Sequence, residues 1–138
     1  MMGFLLDTNI VSELRKGSRC DSGLRSWFDD TLNEELWLST LVIGEIRQGI
    51  ERLRSKDPTS SSHLERWLTG LSDSYKGRIL PVSIAVAHRW GILNAGNPIS
   101  YIDGYLAATA LEHGLVLVTR NTRDVQATGA TILNPFAS

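Results

Sequence analysis

The chain has 138 residues, 42 % of them hydrophobic and 21 % charged, which is the make-up of one globular domain over 1–138 with a core that needs no staples. A formal net charge of −1 excludes a global electrostatic footprint for nucleic acid, although the basic residues lean towards arginine, eleven against three lysines. Cys20 stands alone, excluding an intramolecular disulfide and a thiolate metal cage and suiting a reducing cytoplasm, and no apolar run approaches the ~18 residues of a membrane span.

Gly3-Phe4-Leu5-Leu6 reads as an opening strand, too short for a signal-peptide core. Asp7-Thr8-Asn9 follows, residues that end strands and start helices, and Ile10, Val11 and Leu14 sit at helical spacing. A loop over Lys16–Ser22 leads to a second helical stretch holding Leu24, Trp27, Phe28 and Leu32. Leu36-Trp37-Leu38 is a short strand, Ser39-Thr40 caps the next helix, and Ile43, Ile46, Ile50 and Leu53 form its apolar stripe.

Asp57 to Ser62 reads as a polar break around Pro58, after which Leu64, Trp67, Leu68 and Leu71 continue in helical register until Gly77. Ile79–Val82 is another strand, and Ser83 caps a helix carrying Ile84, Val86, Ala87, Trp90 and Leu93. Asn94–Pro98 reads as a loop. Ser100 to Asp103 matches a capping box, with Leu106, Ala107, Ala110 and Leu111 behind it and His113-Gly114 at the helix end. Leu115–Val118 is a continuous apolar run of the kind buried on both faces, Thr119–Asp124 opens a turn, and Thr131–Leu133 is a last strand. Strands alternating with helices predict an α/β fold, a mostly parallel central sheet covered on both faces.

Four acids occupy equivalent places in this pattern. Asp7 follows the first strand, Glu45 and Asp103 lie in early turns of helices, and Asp124 follows the Leu115–Val118 strand within one turn. In an open parallel sheet the carboxyl ends of the strands form the ligand-binding edge, and helices that leave that edge present their N-termini there too. Four carboxylates at that edge repel one another unless a cation neutralises them. Oxygen ligands without cysteine or histidine favour Mg²⁺ or Mn²⁺, ions that keep waters and meet substrate phosphates. Each acid also has an ordinary role open to it: Asp7 as a helix cap, Glu45 as a macrodipole partner, Asp103 in the capping box, Asp124 as a loop residue. Glu13 has an ion pair as its ordinary role, and Arg120 and Arg123 either touch a substrate phosphate or are solvated.

The blocks Leu5-Leu6-Asp7-Thr8-Asn9-Ile10-Val11-Ser12-Glu13-Leu14, Ser39 to Ile46 with Gly49, Ile102-Asp103, Leu117 to Asp124 and Asn134-Pro135-Phe136 together resemble PIN-domain proteins of the VapC/FitB toxin type, from toxin–antitoxin pairs. One departure is Val125, where a bulkier Phe commonly follows the fourth acid. The resemblance implies a three-layer α/β/α sandwich with Asp7, Glu45, Asp103 and Asp124 as the acidic metal-binding and catalytic residues, supported by Thr8, Thr119 and Asn121. It implies an Mg²⁺- or Mn²⁺-dependent endoribonuclease that hydrolyses RNA by in-line attack of water, dimerises, and is blocked by a small VapB/FitA-like antitoxin. Contact with DNA would come only through that antitoxin; Trp27, Trp37, Trp67 and Trp90 read as core or dimer-interface packing, with a groove for an antitoxin helix as the alternative for Trp67. The alternative is a PIN-like regulatory module that acts through the antitoxin on DNA without significant catalysis. A P-loop enzyme would need GxxxxGK[ST], which is absent, and a haloacid-dehalogenase-like enzyme would want an acid where Asn9 stands.

Overall fold

The computed structural model describes residues 3–96 and 98–137. In chain order the elements are β1 (Phe4–Leu6), α1 (Thr8–Leu14), α2 (Ser22–Asp29), β2 (Leu36–Ser39), α3 (Thr40–Arg54), α4 (Pro58–Ser74), β3 (Ile79–Leu80), α5 (Ile84–Gly96), α6 (Tyr101–His113), β4 (Val116–Val118), α7 (Thr122–Val125) and β5 (Ile132–Leu133). The five strands form one sheet in the order β3-β2-β1-β4-β5, with every neighbouring pair parallel. In register, Phe4 faces Leu36 on one side and Val116 on the other, which makes β1 the central strand.

That order places the helices. The chain moves outwards from β1 through β2 to β3, then crosses back to β4 and on to β5. Right-handed crossovers put the helices of the two directions on opposite faces of the sheet. The packing agrees: α3 lies on α4 and α1, whereas α5 lies on α6 and α6 on α7. Both faces of the sheet are therefore covered, and its strands bury Leu5, Leu6, Leu36, Leu38, Leu117 and Val118 against Ile10, Val42, Ile46 and Ile50 on one side and Leu106, Ala107 and Ala110 on the other. Apolar burial of this kind contributes about 25 cal/mol per Å² removed from water.

Three helix boundaries differ from the sequence reading, each for a local reason. The polar break over Asp57–Ser62 is the start of α4: Asp57 accepts the Ser60 N–H at 3.1 Å, and Pro58 takes the first helical position, where its missing N–H costs nothing. Helix α2 ends at Asp29, leaving Leu32 outside it and exposed. Helix α5 runs through Asn94 to Gly96, and Asn94 Oδ1 accepts the Ile99 N–H at 2.8 Å, bridging into the turn; Asn97, within the expected loop, lies outside the described residues. On α5 only Val86 of the expected apolar stripe is fully buried, while Ile84 and Ile92 are 80 % and 77 % exposed on one face.

The chain's last described residues are clasped. Asp21, the cap of α2, accepts N–H bonds from both Leu24 and Ala137, at 3.0 and 2.9 Å. The tail approaches so closely that a Cβ on Gly23 would lie 2.6 Å from Ala137 N and Pro135 O. Phe136 sits under the Arg120 guanidinium, 4.5 Å from ring centre to carbon.

Candidate active site

Asp7 stands where the sheet order reverses, between the carboxyl ends of β1 and β4, which is the usual location of a ligand crevice in an open parallel sheet. Its backbone is fixed by a ladder bond from its N–H to Val118 O at 2.9 Å. Its side chain is buried and caps α1, accepting from Thr8 N at 2.6 Å, Thr119 Oγ at 2.7 Å and Asn9 Nδ2 at 3.3 Å. The capping role and the site role thus coincide in one carboxylate.

Helix α3 begins at the same edge, with Ser39 accepting the Leu41 N–H, and carries Glu45 back over α1, where Thr8 Oγ donates to Glu45 Oε1. Helix α6 returns to the edge with its N-terminus. There Ser100 Oγ donates to Asp103 Oδ2 at 2.9 Å and accepts the Asp103 N–H at 3.4 Å, a capping box with the acid in place. Asp7, Thr8, Asn9, Glu45, Asp103 and Asn121 line a single cleft of about 510 Å³, with Ser100 and Ile102 at its wall.

Burial pushes the Asp7 carboxyl above its ordinary range; the hydrogen bonds from Thr119 and Thr8 act the other way, and the charges of Asp103 and Glu45 push it further up. The charges of Asp103 and Glu45 are therefore felt at the Asp7 carboxyl. The donors of the cleft are carboxylate, hydroxyl and amide oxygens, the set that suits a hard divalent cation. Among the described residues no three acid, histidine or cysteine side chains converge closely enough to cage a metal ion unaided. An ion such as Mg²⁺ usually takes one or two carboxylates and completes its shell with water and phosphate.

The fourth acid is placed differently. Asp124 is exposed on α7 and does not line the cleft; its N–H donates to Asn121 O at 3.2 Å, so it stands one turn beyond a residue that does. Thr119 is buried and is the hub of the β4 side, since its Oγ also accepts from Asn121 N at 3.0 Å and Asn9 Nδ2 at 3.4 Å. Glu13 is turned away, bound to Lys16 Nζ and to the Asp21 N–H at 2.9 Å each, so its partner is a lysine and a backbone amide.

Sequence reasoning missed Asn9 as a site residue. Its Nδ2 reaches Asp7 and Thr119, and its Oδ1 accepts the Arg120 N–H at 3.2 Å, stitching the end of β1 to the end of β4. Its position two residues after Asp7 was the only local signal. Ser100 was read as a cap, and the structure adds that its hydroxyl holds the Asp103 carboxylate.

The fold and the site together define an open parallel α/β protein with an acidic cleft over the switch point of its sheet. The PIN domain family model matches residues 4–129, and this chain belongs to the PIN domain family. It is 33 % identical to VapC ribonuclease Y4jK of Sinorhizobium fredii, over 96 % of both chains. It is 31 % identical to toxin FitB of Neisseria gonorrhoeae, over 96 % of this chain and 97 % of FitB. The crystal structure of FitAcB from the same bacterium superposes with a TM-score of 0.86 at 30 % identity, covering 96 % of this chain and 97 % of that one.

Proposed function

We propose that this chain is the toxin of a toxin–antitoxin pair, an endoribonuclease that hydrolyses RNA phosphodiester bonds with Mg²⁺ or Mn²⁺. The observation that carries the reading is the meeting of Asp7, Glu45 and Asp103, from three separate elements, in one cleft at the switch point. The relatives named as a VapC ribonuclease and a FitB toxin support it. No described helix is long and apolar enough to cross a membrane, and a reaction on cellular RNA assigns the protein to the cytoplasm.

Asp7 and Asp103 would hold the cation directly. Glu45 would bind it or orient the attacking water, and Asp124 would act from outside the cleft wall. When bound, the cation lowers the pKa of water and offsets charge on the phosphoryl oxygens. Thr119 and the Thr8 N–H hold the Asp7 carboxylate and favour its ionised form, Asn9 adds a third donor to it, the Thr8 hydroxyl positions Glu45, and Ser100 orients Asp103. Asn121, held by its N–H on Thr119 Oγ, supplies a polar side chain at the cleft wall for the RNA strand.

The test is cleavage of total RNA by the purified chain in Mn²⁺ and in EDTA, with Asp7→Asn alongside. Cleavage is expected only with metal and only with Asp7, and a fully active Asp7→Asn protein overturns the assignment. Mapping the cut ends then names the RNA.

The same reading supplies partners. A FitAB structure bound to a DNA fragment, 29 % identical to this chain with a TM-score of 0.85, favours an antitoxin that mediates any contact with DNA. An apolar groove of about 420 Å³ between α1, α2 and α4, lined by Val11, Leu14, Phe28, Trp67 and Leu71 beside Arg15, suits an amphipathic antitoxin helix. The exposed Ile84 and Ile92 on α5, with His88 and Gly91 between them, suit a second copy in a homodimer. Light scattering of Ile92→Asp checks this: the variant should be monomeric where the native chain is dimeric. A purely regulatory module acting on DNA through the antitoxin predicts no saturable Mn²⁺ binding in calorimetry.

A further inference from the structure

The geometry points to a nucleobase subsite beside the acid cleft, in which Gln48 reads the edge of the base flanking the cleaved bond. The inference rests on the proposed RNA cleavage and deepens it. A second groove, of about 460 Å³, runs along α3 towards α6 and is lined by Thr40, Leu41, Gly44, Glu45, Gln48 and Ile102. Glu45 and Ile102 line the acid cleft as well, so the two spaces adjoin. A strand whose phosphate lies over the carboxylates therefore has a neighbouring base within reach of this groove.

The lining suits a base better than a second phosphate. Its only charged group is Glu45, which repels phosphate. Leu41 and Ile102 offer apolar surface to the faces of a heterocycle, and recognition of unpaired RNA bases rests on such faces together with hydrogen bonds at the edge. Gln48 is exposed, three residues after Glu45 and so on the same side of α3. Its amide presents a donor beside an acceptor, the pairing that binds adenine bidentately. Gly44 keeps the space open: a Cβ built there meets nothing within 4 Å, so a larger side chain would project into the groove without displacing the core.

The experiment uses the full chain in Mn²⁺ with short RNAs that differ only in the bases on either side of the cleaved bond. The native protein should prefer adenine at one of these positions. Gln48→Ala should reduce that preference in kcat/KM by about tenfold, the scale of one bidentate base contact, with the loss in KM and with other RNAs cleaved as before. Gln48→Glu should shift the preference towards cytosine, whose amino group a carboxylate accepts. Gly44→Leu should raise KM for every RNA, and thermal melts establish that each variant is folded. A native enzyme without base preference, or a preference that survives both Gln48 changes, overturns the subsite while leaving RNA cleavage standing. Absence of cleavage by the native protein overturns the reading beneath it instead. If Gly44→Leu cleaves RNA normally but loses affinity for the antitoxin, the groove holds a protein segment and the base assignment fails.

Discussion

Replacing Thr119 by Val removes one hydroxyl from the hub of the site and nearly preserves its shape. In the native protein that hydroxyl donates to the buried Asp7 carboxylate at 2.7 Å and accepts the Asn121 N–H at 3.0 Å. A hydrogen bond to a charged acceptor contributes about 1.5–3 kcal/mol, and a neutral one about 1 kcal/mol. The expected loss of unfolding free energy is thus about 2–4 kcal/mol, offset in small part by the apolar methyl. At roughly 3 °C per kcal/mol for a chain of this length, Tm should fall by about 6–12 °C. Because the lost bond favoured ionised Asp7, its pKa should rise further, and the acidic limb of the cleavage profile should move to higher pH. Affinity for Mn²⁺, read by calorimetry, should weaken by about 10–100-fold, as when other carboxylate supports of metal sites are removed. Urea unfolding and calorimetry on the purified variant decide the matter. A valine variant with native stability and native Mn²⁺ affinity would refute the argument that Thr119 organises the cleft.

Asp7→Asn should abolish cleavage yet raise the stability of the metal-free protein at neutral pH. The folded pKa of Asp7 is raised, so between its unfolded and folded values the native state binds the extra proton; stability is present below that window and falls as pH rises through it. The variant lacks that slope, so the gap in Tm should open with rising pH and close in acid; a gap independent of pH contradicts the assignment. Glu65→Gln breaks the bridge from Arg47 and Arg54 that draws the Glu65 pKa down to about 2 and ties α3 to α4. All three groups are solvent-accessible, so the cost should be small and shrink in high salt, which urea melts at two ionic strengths would measure. Gly104→Ala should destabilise by about 1–3 kcal/mol despite alanine's better helix propensity. The added Cβ lies 2.9 Å from the Trp90 indole, which stacks on Tyr101 and Tyr105 and has little room to yield. A neutral or stabilising result in a thermal melt would show that the indole moves freely.

The edge of the sheet was legible because two local signals coincide there. Leu5-Leu6 followed by Asp7, and Leu117-Val118 followed by Thr119, each mark where an apolar strand gives way to capping residues, and the alternation of elements makes the sheet parallel. Glu45 and Asp103 then fall at the same edge by helix direction alone. What escaped was non-local or outward-facing. Asn9 meets Thr119 across 110 positions of sequence, which no local pattern records. The apolar residues of α5 look the same to periodicity whether they face the core, as Val86 does, or solvent, as Ile84 and Ile92 do. The start of α4 was hidden because Pro58 to Ser62 has no apolar residue to reveal its period; the Asp57-Pro58 pair was the available clue. Asp124 satisfies the same topological rule as the other acids, yet the turn at Asn121 carries it past the cleft wall to an exposed position.

The clasp of residues 134–137 onto Asp21 couples that segment to the candidate site. Residues 134–137 link the first turn of α2 to Arg120, and Arg120 directly follows Thr119. Tension on that segment would pass through Phe136 and the Asn9–Arg120 bond into the Asp7 support. A surface tether pulled at this segment would load the proposed catalytic edge itself, so the point of attachment becomes part of any activity measurement.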